Sequence, residues 1–245
     1  MSTVEGVNFL GYRFYTGSIE DSVLEIIAET GESFKYLVTP NVQHMVKLLE
    51  NPAVLQPLYQ RAWRVFCDSR VLSRLARFSG LRLPVITGSD LTARLIARSG
   101  EQGLTIAVVG PTPAARATLE RRYPGLNVVL HTPPMGFITS EHEIRKCVDF
   151  VVKAQAPLTF LAVGMPQQEI LAGHIADHPQ ARGVGLCIGA SIDFLTGKQR
   201  RAPIWVQKAG LEWLHRLCSD PRRLASRSLL DCPRIFYFML FNHKY

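Results

Sequence analysis

An α/β fold on a doubly wound, mostly parallel sheet is what this sequence predicts, with a helical, basic appendage at its C-terminal end. Three observations carry that reading. Apolar runs of strand length recur along the chain, several of them closed by a glycine and followed by a helical stretch. A unit of strand, tight glycine turn, helix and strand occurs twice, which is the pattern of parallel βαβ crossovers and gives the sheet its Rossmann-like character. The composition then changes near residue 197, so residues 1–197 read as the α/β domain and 198–245 as the appendage. With 47% hydrophobic and 20% charged residues over 245 positions, the chain has an ordinary globular balance that excludes disorder and low complexity.

The elements follow in order. YLVTPN (36–41) is a strand entering a loop, HMVKLLE (44–50) starts a helix, and WRVFCD (63–68) is a strand ending at a carboxylate. SRVLSRLARF (69–78) is helical, and in TGSDL (87–91) Asp90 reads as the N-cap of another helix. LTIAVVG (104–110) is a buried strand, PTPAARATLERRY (111–123) a loop and helix, and NVVLHTPP (127–134) the strand after it. The same unit returns as PLTFLAVG (157–164), MPQQEILAGHIADH (165–178) and GVGLCIG (183–189). Beyond Gly189 the pattern breaks: ASIDFLTGKQRRAPIW (190–205) is loop-like and polar, while LEWLHRL (211–217) and DPRRLASRSLL (220–230) are short helices. IFYFMLF (235–241) is apolar on every side yet far below the roughly 20 residues that cross a bilayer.

Charge is distributed unevenly. From Lys198 onward ten basic residues face three acidic ones, which accounts for seven of the eight net positive charges of the chain. Trp205, Trp213, Phe236, Tyr237, Phe238, Phe241 and Tyr245 are interleaved with them. Such a segment suits an anionic membrane interface, where each Lys or Arg contributes about 1 kcal/mol, and nucleic acid is the rival polyanion. The five cysteines (Cys67, Cys147, Cys187, Cys218, Cys232) form no C-x-x-C pair, and the N-terminus lacks a signal-peptide layout, so a reducing cytoplasm is expected. No D-x-D is present to hold a divalent ion against a diphosphate, and GPTPAA (110–115) lacks the G-x-G-x-x-G of dinucleotide binders. Neither a metal nor a cofactor is expected.

Ligands of doubly wound sheets bind beyond the carboxyl ends of the strands, a rim that should hold Thr39, Asn41, Asp68, Gly110, Gly164 and Gly189. Asp68, in FCDSR, is placed to take a proton from a hydroxyl nucleophile, or else to cap the helix that follows. In GMPQQE (164–169), Gly164 starts a turn that sends Gln167, Gln168 and Glu169 into a first helical turn, where amides and backbone N–H groups can read a base, ribose or diphosphate. The plainer reading is an ordinary first turn, enriched in Glu by the helix dipole. Gly110 opens a second helix in the same way. Asp193, in GASIDFLTG, either orients a substrate hydroxyl or caps a turn. Arg216 and Arg223, seven apart, offer planar forks to a diphosphate or a lipid phosphate, or form part of a solvated basic face.

Taken in order, TPN (39–41), the strand-end Asp68, TGSDL, GMPQQE, GASIDFLTGKQRRAP (189–203), GLEWLHRL (210–217) and DPRR (220–223) resemble the WecG/TagA/CpsF family of bacterial glycosyltransferases, over residues 36–230. The resemblance implies an inverting, UDP-sugar-dependent enzyme that transfers a sugar to a polyprenyl-diphosphate-linked saccharide at the cytoplasmic face of the plasma membrane, for cell-surface or exopolysaccharide. It implies Asp68 as catalytic base, Thr39 and Asn41 lining the pocket, and Gln168 at the donor. It also implies Arg216, Arg223 and Arg227 at the acceptor diphosphate. With the rim and loop residues, the expected donor set is Thr39, Asn41, Gly110, Gly164, Gln167, Gln168, Glu169 and Asp193. Two departures stand out. Many members read D-G-x-G after the base where this chain has Asp68-Ser69-Arg70-Val71, and many carry an arginine where it has Val85. Under this reading no nucleic-acid partner is expected, and a homo-oligomer is compatible with the sequence. The rival reading is a non-catalytic basic protein that holds nucleic acid or an anionic membrane through its tail.

Overall fold

The structure, a computed structural model, describes residues 6–199 together with Pro203 and Val206. The expected appendage therefore lies outside the described residues, apart from Lys198, Gln199, Pro203 and Val206. β1 (Gly6–Phe9) and β2 (Tyr12–Tyr15) form a hairpin, and α1 (Ile19–Ala28) leads to β3 (Lys35–Val38). α2 (Val42–Glu50) and α3 (Pro52–Arg61) lead to a two-residue β4 (Arg64–Val65), followed by α4 (Arg70–Phe78) and α5 (Gly88–Glu101). The second half runs β5 (Thr105–Val109), α6 (Pro113–Arg122), β6 (Asn127–His131), α7 (Glu141–Ala154), β7 (Leu158–Leu161), α8 (Gln167–Ala176), β8 (Val184–Cys187) and α9 (Ser191–Leu195).

The strands make one eight-stranded sheet in the order β1-β2-β4-β3-β8-β7-β5-β6, parallel throughout except for the β1–β2 hairpin. Parallel strands are covered by helices on both faces, so their residues are apolar on both sides. β3 shows this directly: Tyr36 and Val38 enter one core with Met45, Leu55, Tyr59, Leu72 and Leu171, while Leu37 enters the other with Leu91, Leu95, Ile106 and Leu186. The first core is roofed by α2, α3, α4, α7 and α8, the second by α1, α5, α6 and α9. Among the described residues no helix is long and apolar enough to cross a membrane.

The six strands expected from the apolar runs are all present, although β4 is short and the chain beyond it is held by a bridge between Cys67 and Val85 and by single backbone bonds from Phe66 to Val38 and from Asp68 to Pro40. The hairpin was not foreseen, because its turn is Leu10-Gly11 with φ of 51° and 80°. Both residues are left-handed, as a two-residue turn of this hand requires, but Leu in place of Asn or Asp leaves no turn signature in the sequence. The loop expected at 190–205 is corrected at its start: residues 191–195 form α9, with Ile192 buried in the second core.

The helix after β3 packs on the first core and the helix after β8 packs on the second, although the two strands are neighbours. Their outgoing connections therefore part to opposite faces, leaving a crevice at the carboxyl ends of β3 and β8 where doubly wound sheets hold ligands.

Gly110 serves the sheet. Its φ is 121°, and a Cβ there would stand 2.6 Å from the carbonyl oxygen of Ala162 at the end of β7. Gly110→Ala should cost about 1 kcal/mol or more and lower the melting temperature by at least about 2–4 °C, read by calorimetry. An unchanged melting temperature would show that the strand ends relax around the added methyl.

Candidate active site

The crevice is an open cleft of about 610 Å³ including its mouth, lined mostly by polar side chains. Four segments supply them: Thr39, Asn41, Gln43 and His44 from the β3–α2 junction, Asp68 from the end of β4, Thr87 and Ser89 from the start of α5, and Ile188 to Ser191 with Phe194 from the β8–α9 junction.

Each segment is fixed by local hydrogen bonding. The Thr39 hydroxyl is buried and donates to the Cys187 carbonyl at 3.1 Å, tying β3 to β8 at the floor of the cleft. A Cβ at residue 88 would lie 2.8 Å from that hydroxyl, so Gly88 is what lets the start of α5 come so close. Asn41 caps α2 by accepting the His44 N–H at 3.2 Å, and Ser69 caps α4 by accepting the Leu72 N–H at 3.2 Å. Asp68 is therefore not the cap of the helix after it. Its own N–H donates to the Pro40 carbonyl at 3.0 Å, which moors the half-buried aspartate beside the β3–α2 loop. Burial pushes the thiol of neighbouring Cys67 up to about 12, and the charge of Asp68 pushes the same way, so the thiol stays neutral beside the carboxylate.

The cap of α5 is Thr87 and not Asp90. The Thr87 oxygen accepts the Asp90 N–H at 3.1 Å and donates to the Asp90 carboxylate at 2.7 Å, placing Asp90 in the first turn. The first turns of α2 and α5 thus both contribute to the cleft wall. Helix N-termini carry partial positive charge and unshared N–H groups, which makes this wall attractive to an anion.

Behind the wall lies a buried polar network. Gln168 and Glu169 are each 1% exposed. The Gln168 amide nitrogen donates to Glu169 Oε1 at 2.9 Å, the Tyr59 hydroxyl donates to the same oxygen at 3.3 Å, and Gln168 Oε1 accepts the Gly189 N–H at 2.8 Å. Gln168 thus reaches the cleft only through the backbone of Gly189. Gly110, Gly164 and Gln167 occupy the β5 and β7 half of the rim, outside the lining of the cleft. Asp193 lies in α9 with its carboxylate 3.5 Å from Lys198 Nζ, and its neighbours Ser191 and Phe194 line the cleft instead. Arg216, Arg223 and Arg227 fall outside the described residues.

Gln43, His44, Thr87, Ser89, Ser191 and Phe194 were not singled out by the sequence. Gln43 and His44 directly follow Asn41, so the first turn after T-x-N was the available signal. Among the described residues no group of three or more His, Cys, Asp and Glu side chains could hold a metal ion. His174 and His178 stand four apart, but His178 Nδ1 accepts the Gln180 N–H.

Burial pushes the Glu169 carboxyl from 4.5 up to about 7, against the hydrogen bonds from Gln168 and Tyr59 and the charge of Lys47, which favour ionisation. The folded protein holds this proton more tightly than the unfolded chain. The resulting stability is complete below pH 4.5 and is lost as pH rises through 7, an effect of about 3 kcal/mol. Between about pH 5 and pH 8 the wild type should lose about 2–3 kcal/mol more than Glu169→Gln in urea unfolding. Equal losses would place the proton elsewhere.

Over residues 7–244 the chain matches the Glycosyl transferase WecG/TagA/CpsF family, a match that runs through β3, Asp68, α5, the Gln168 loop and the β8–α9 junction. The protein whose cleft gathers Thr39, Asn41 and Asp68 at the ends of β3, β4 and β8 belongs to the WecG/TagA/CpsF family of glycosyltransferases.

Proposed function

We propose that the protein is an inverting, metal-independent glycosyltransferase that moves a sugar from a UDP-sugar to a polyprenyl-diphosphate-linked saccharide, at the inner face of a bacterial plasma membrane, with Asp68 as general base. The observation that carries this reading is the position of Asp68: a carboxylate excused from helix capping by Ser69, held in the cleft beside the first turns of α2 and α5.

Asp68 takes the proton of the acceptor hydroxyl as its oxygen attacks the anomeric carbon. The bond from that carbon to the diphosphate oxygen breaks on the opposite face, and the electron pair leaves with UDP. Thr39 and Asn41 line the donor pocket, and Gln168 acts through the Gly189 backbone that it holds. The first turns of α2 and α5 meet the departing diphosphate, with Arg216, Arg223 and Arg227 of the appendage supplying the cations that a metal supplies in other transferases.

General-base assistance is worth about 10² to 10⁴ in rate, so Asp68→Asn should lower kcat by that factor while donor affinity and melting temperature stay near wild type. Turnover close to wild type would remove Asp68 from this role. UDP without metal should raise the melting temperature, with about 2.7 kcal/mol of added stability at 100 times its Kd. Stabilisation that requires Mg²⁺ would overturn the metal-independent part of the reading.

A further inference from the structure

We propose that the outer face of α4 is a second membrane-docking surface, distinct from the C-terminal appendage, and that it takes an anionic phospholipid bilayer. Between Asp68 and Asp90 the chain carries Arg70, Arg74, Arg77 and Arg82 and no acidic residue. α4 buries Leu72, Leu75 and Ala76 in the first core and turns Arg70, Arg74, Arg77 and Phe78 outward. Those four stand at i, i+4, i+7 and i+8, one side of a helix, and Arg82 follows just beyond the turn.

Two features separate this face from an ordinary solvated one. Five surface arginines elsewhere are paired with carboxylates: Arg61 with Asp177, Arg94 with Glu20, Arg98 with Glu101, Arg116 with Glu120 and Arg145 with Glu141. Arg70, Arg77 and Arg82 have no such pair among the described residues; the acid nearest them in sequence, Asp68, lines the cleft. Among these unpaired guanidinium groups stands Phe78, 87% exposed at the last position of the helix. A planar cation matches a phosphate headgroup, and an aromatic ring beside it finds an apolar medium just beneath. The helix starts two residues after Asp68, so docking by this face sets the bilayer next to the cleft. The choice of lipid over nucleic acid rests on the lipid-linked acceptor proposed above; the arginines and Phe78 stand without it.

The test is sedimentation of the full-length protein with vesicles of phosphatidylglycerol in phosphatidylcholine, comparing the wild type with Arg70→Gln/Arg77→Gln/Arg82→Gln and with Phe78→Ser. The triple variant should partition at least about tenfold less, because each surface arginine contributes roughly a fivefold factor. Both variants should keep the wild-type circular dichroism and melting temperature. In Phe78→Trp, emission should shift to the blue on adding vesicles by more than in the wild type. Wild-type partitioning by the triple variant, or no added shift in Phe78→Trp, would overturn the proposal. So would a loss of binding to short single-stranded DNA with vesicle binding intact, which would hand the face to nucleic acid. If the wild type shows no UDP-sugar turnover, the transferase reading fails while the difference in vesicle binding still stands.

Discussion

Two hydrogen bonds at the junction of β3 and β8 hold the geometry on which the cleft depends. The Thr39 hydroxyl spends its proton on the Cys187 carbonyl, and the Gln168 carboxamide spends its oxygen on the Gly189 N–H. The Thr39 bond is buried and the Gln168 side chain is 1% exposed, so losing either would leave a buried polar atom without its partner, at about 1–3 kcal/mol. Glu169 decides which way the Gln168 amide faces. A carboxylate oxygen accepts and a primary amide donates only through nitrogen, so the nitrogen turns to Glu169 and the oxygen is left for Gly189. The strand ends and the β8–α9 turn are thereby held at one separation, and the four segments of the cleft are placed around it.

Much of this was legible in the sequence, and the exceptions have physical causes. Apolar runs closed by glycine identified the parallel strands because strands buried on both faces need apolar residues at every position. The hairpin at the sheet edge escaped because Leu10 adopts a left-handed conformation that the residue type does not advertise. Caps were misassigned by one or three positions: Asp68, Ser69, Thr87 and Asp90 are all good cap formers, and only the backbone geometry selects Ser69 and Thr87.

The candidate site was half legible for a different reason. Glycine turns end β5, β7 and β8 alike in the sequence, and each looks equally fit to meet a ligand. Strand order tells them apart, since only Gly189 closes a strand paired with β3, and that pairing is set by contacts between residues some 150 positions apart. Gly110 and Gly164 thus share the motif of Gly189 without sharing its place. The basic face of α4 was hidden by bookkeeping of another kind: over residues 1–197 the arginines are offset by acids elsewhere in the chain, so a near-zero balance conceals a stretch from Asp68 to Asp90 that holds cations alone.

The two helices whose first turns meet at the cleft belong to different layers. α2 is rooted in the core on one side of the sheet and α5 in the core on the other. Across the sheet itself the two cores share no side chain. A ligand lodged between the start of α2 and the start of α5 would tie the two layers together at the cleft, a second join besides the sheet, whose strands already feed both cores, β3 giving Tyr36 and Val38 to one and Leu37 to the other.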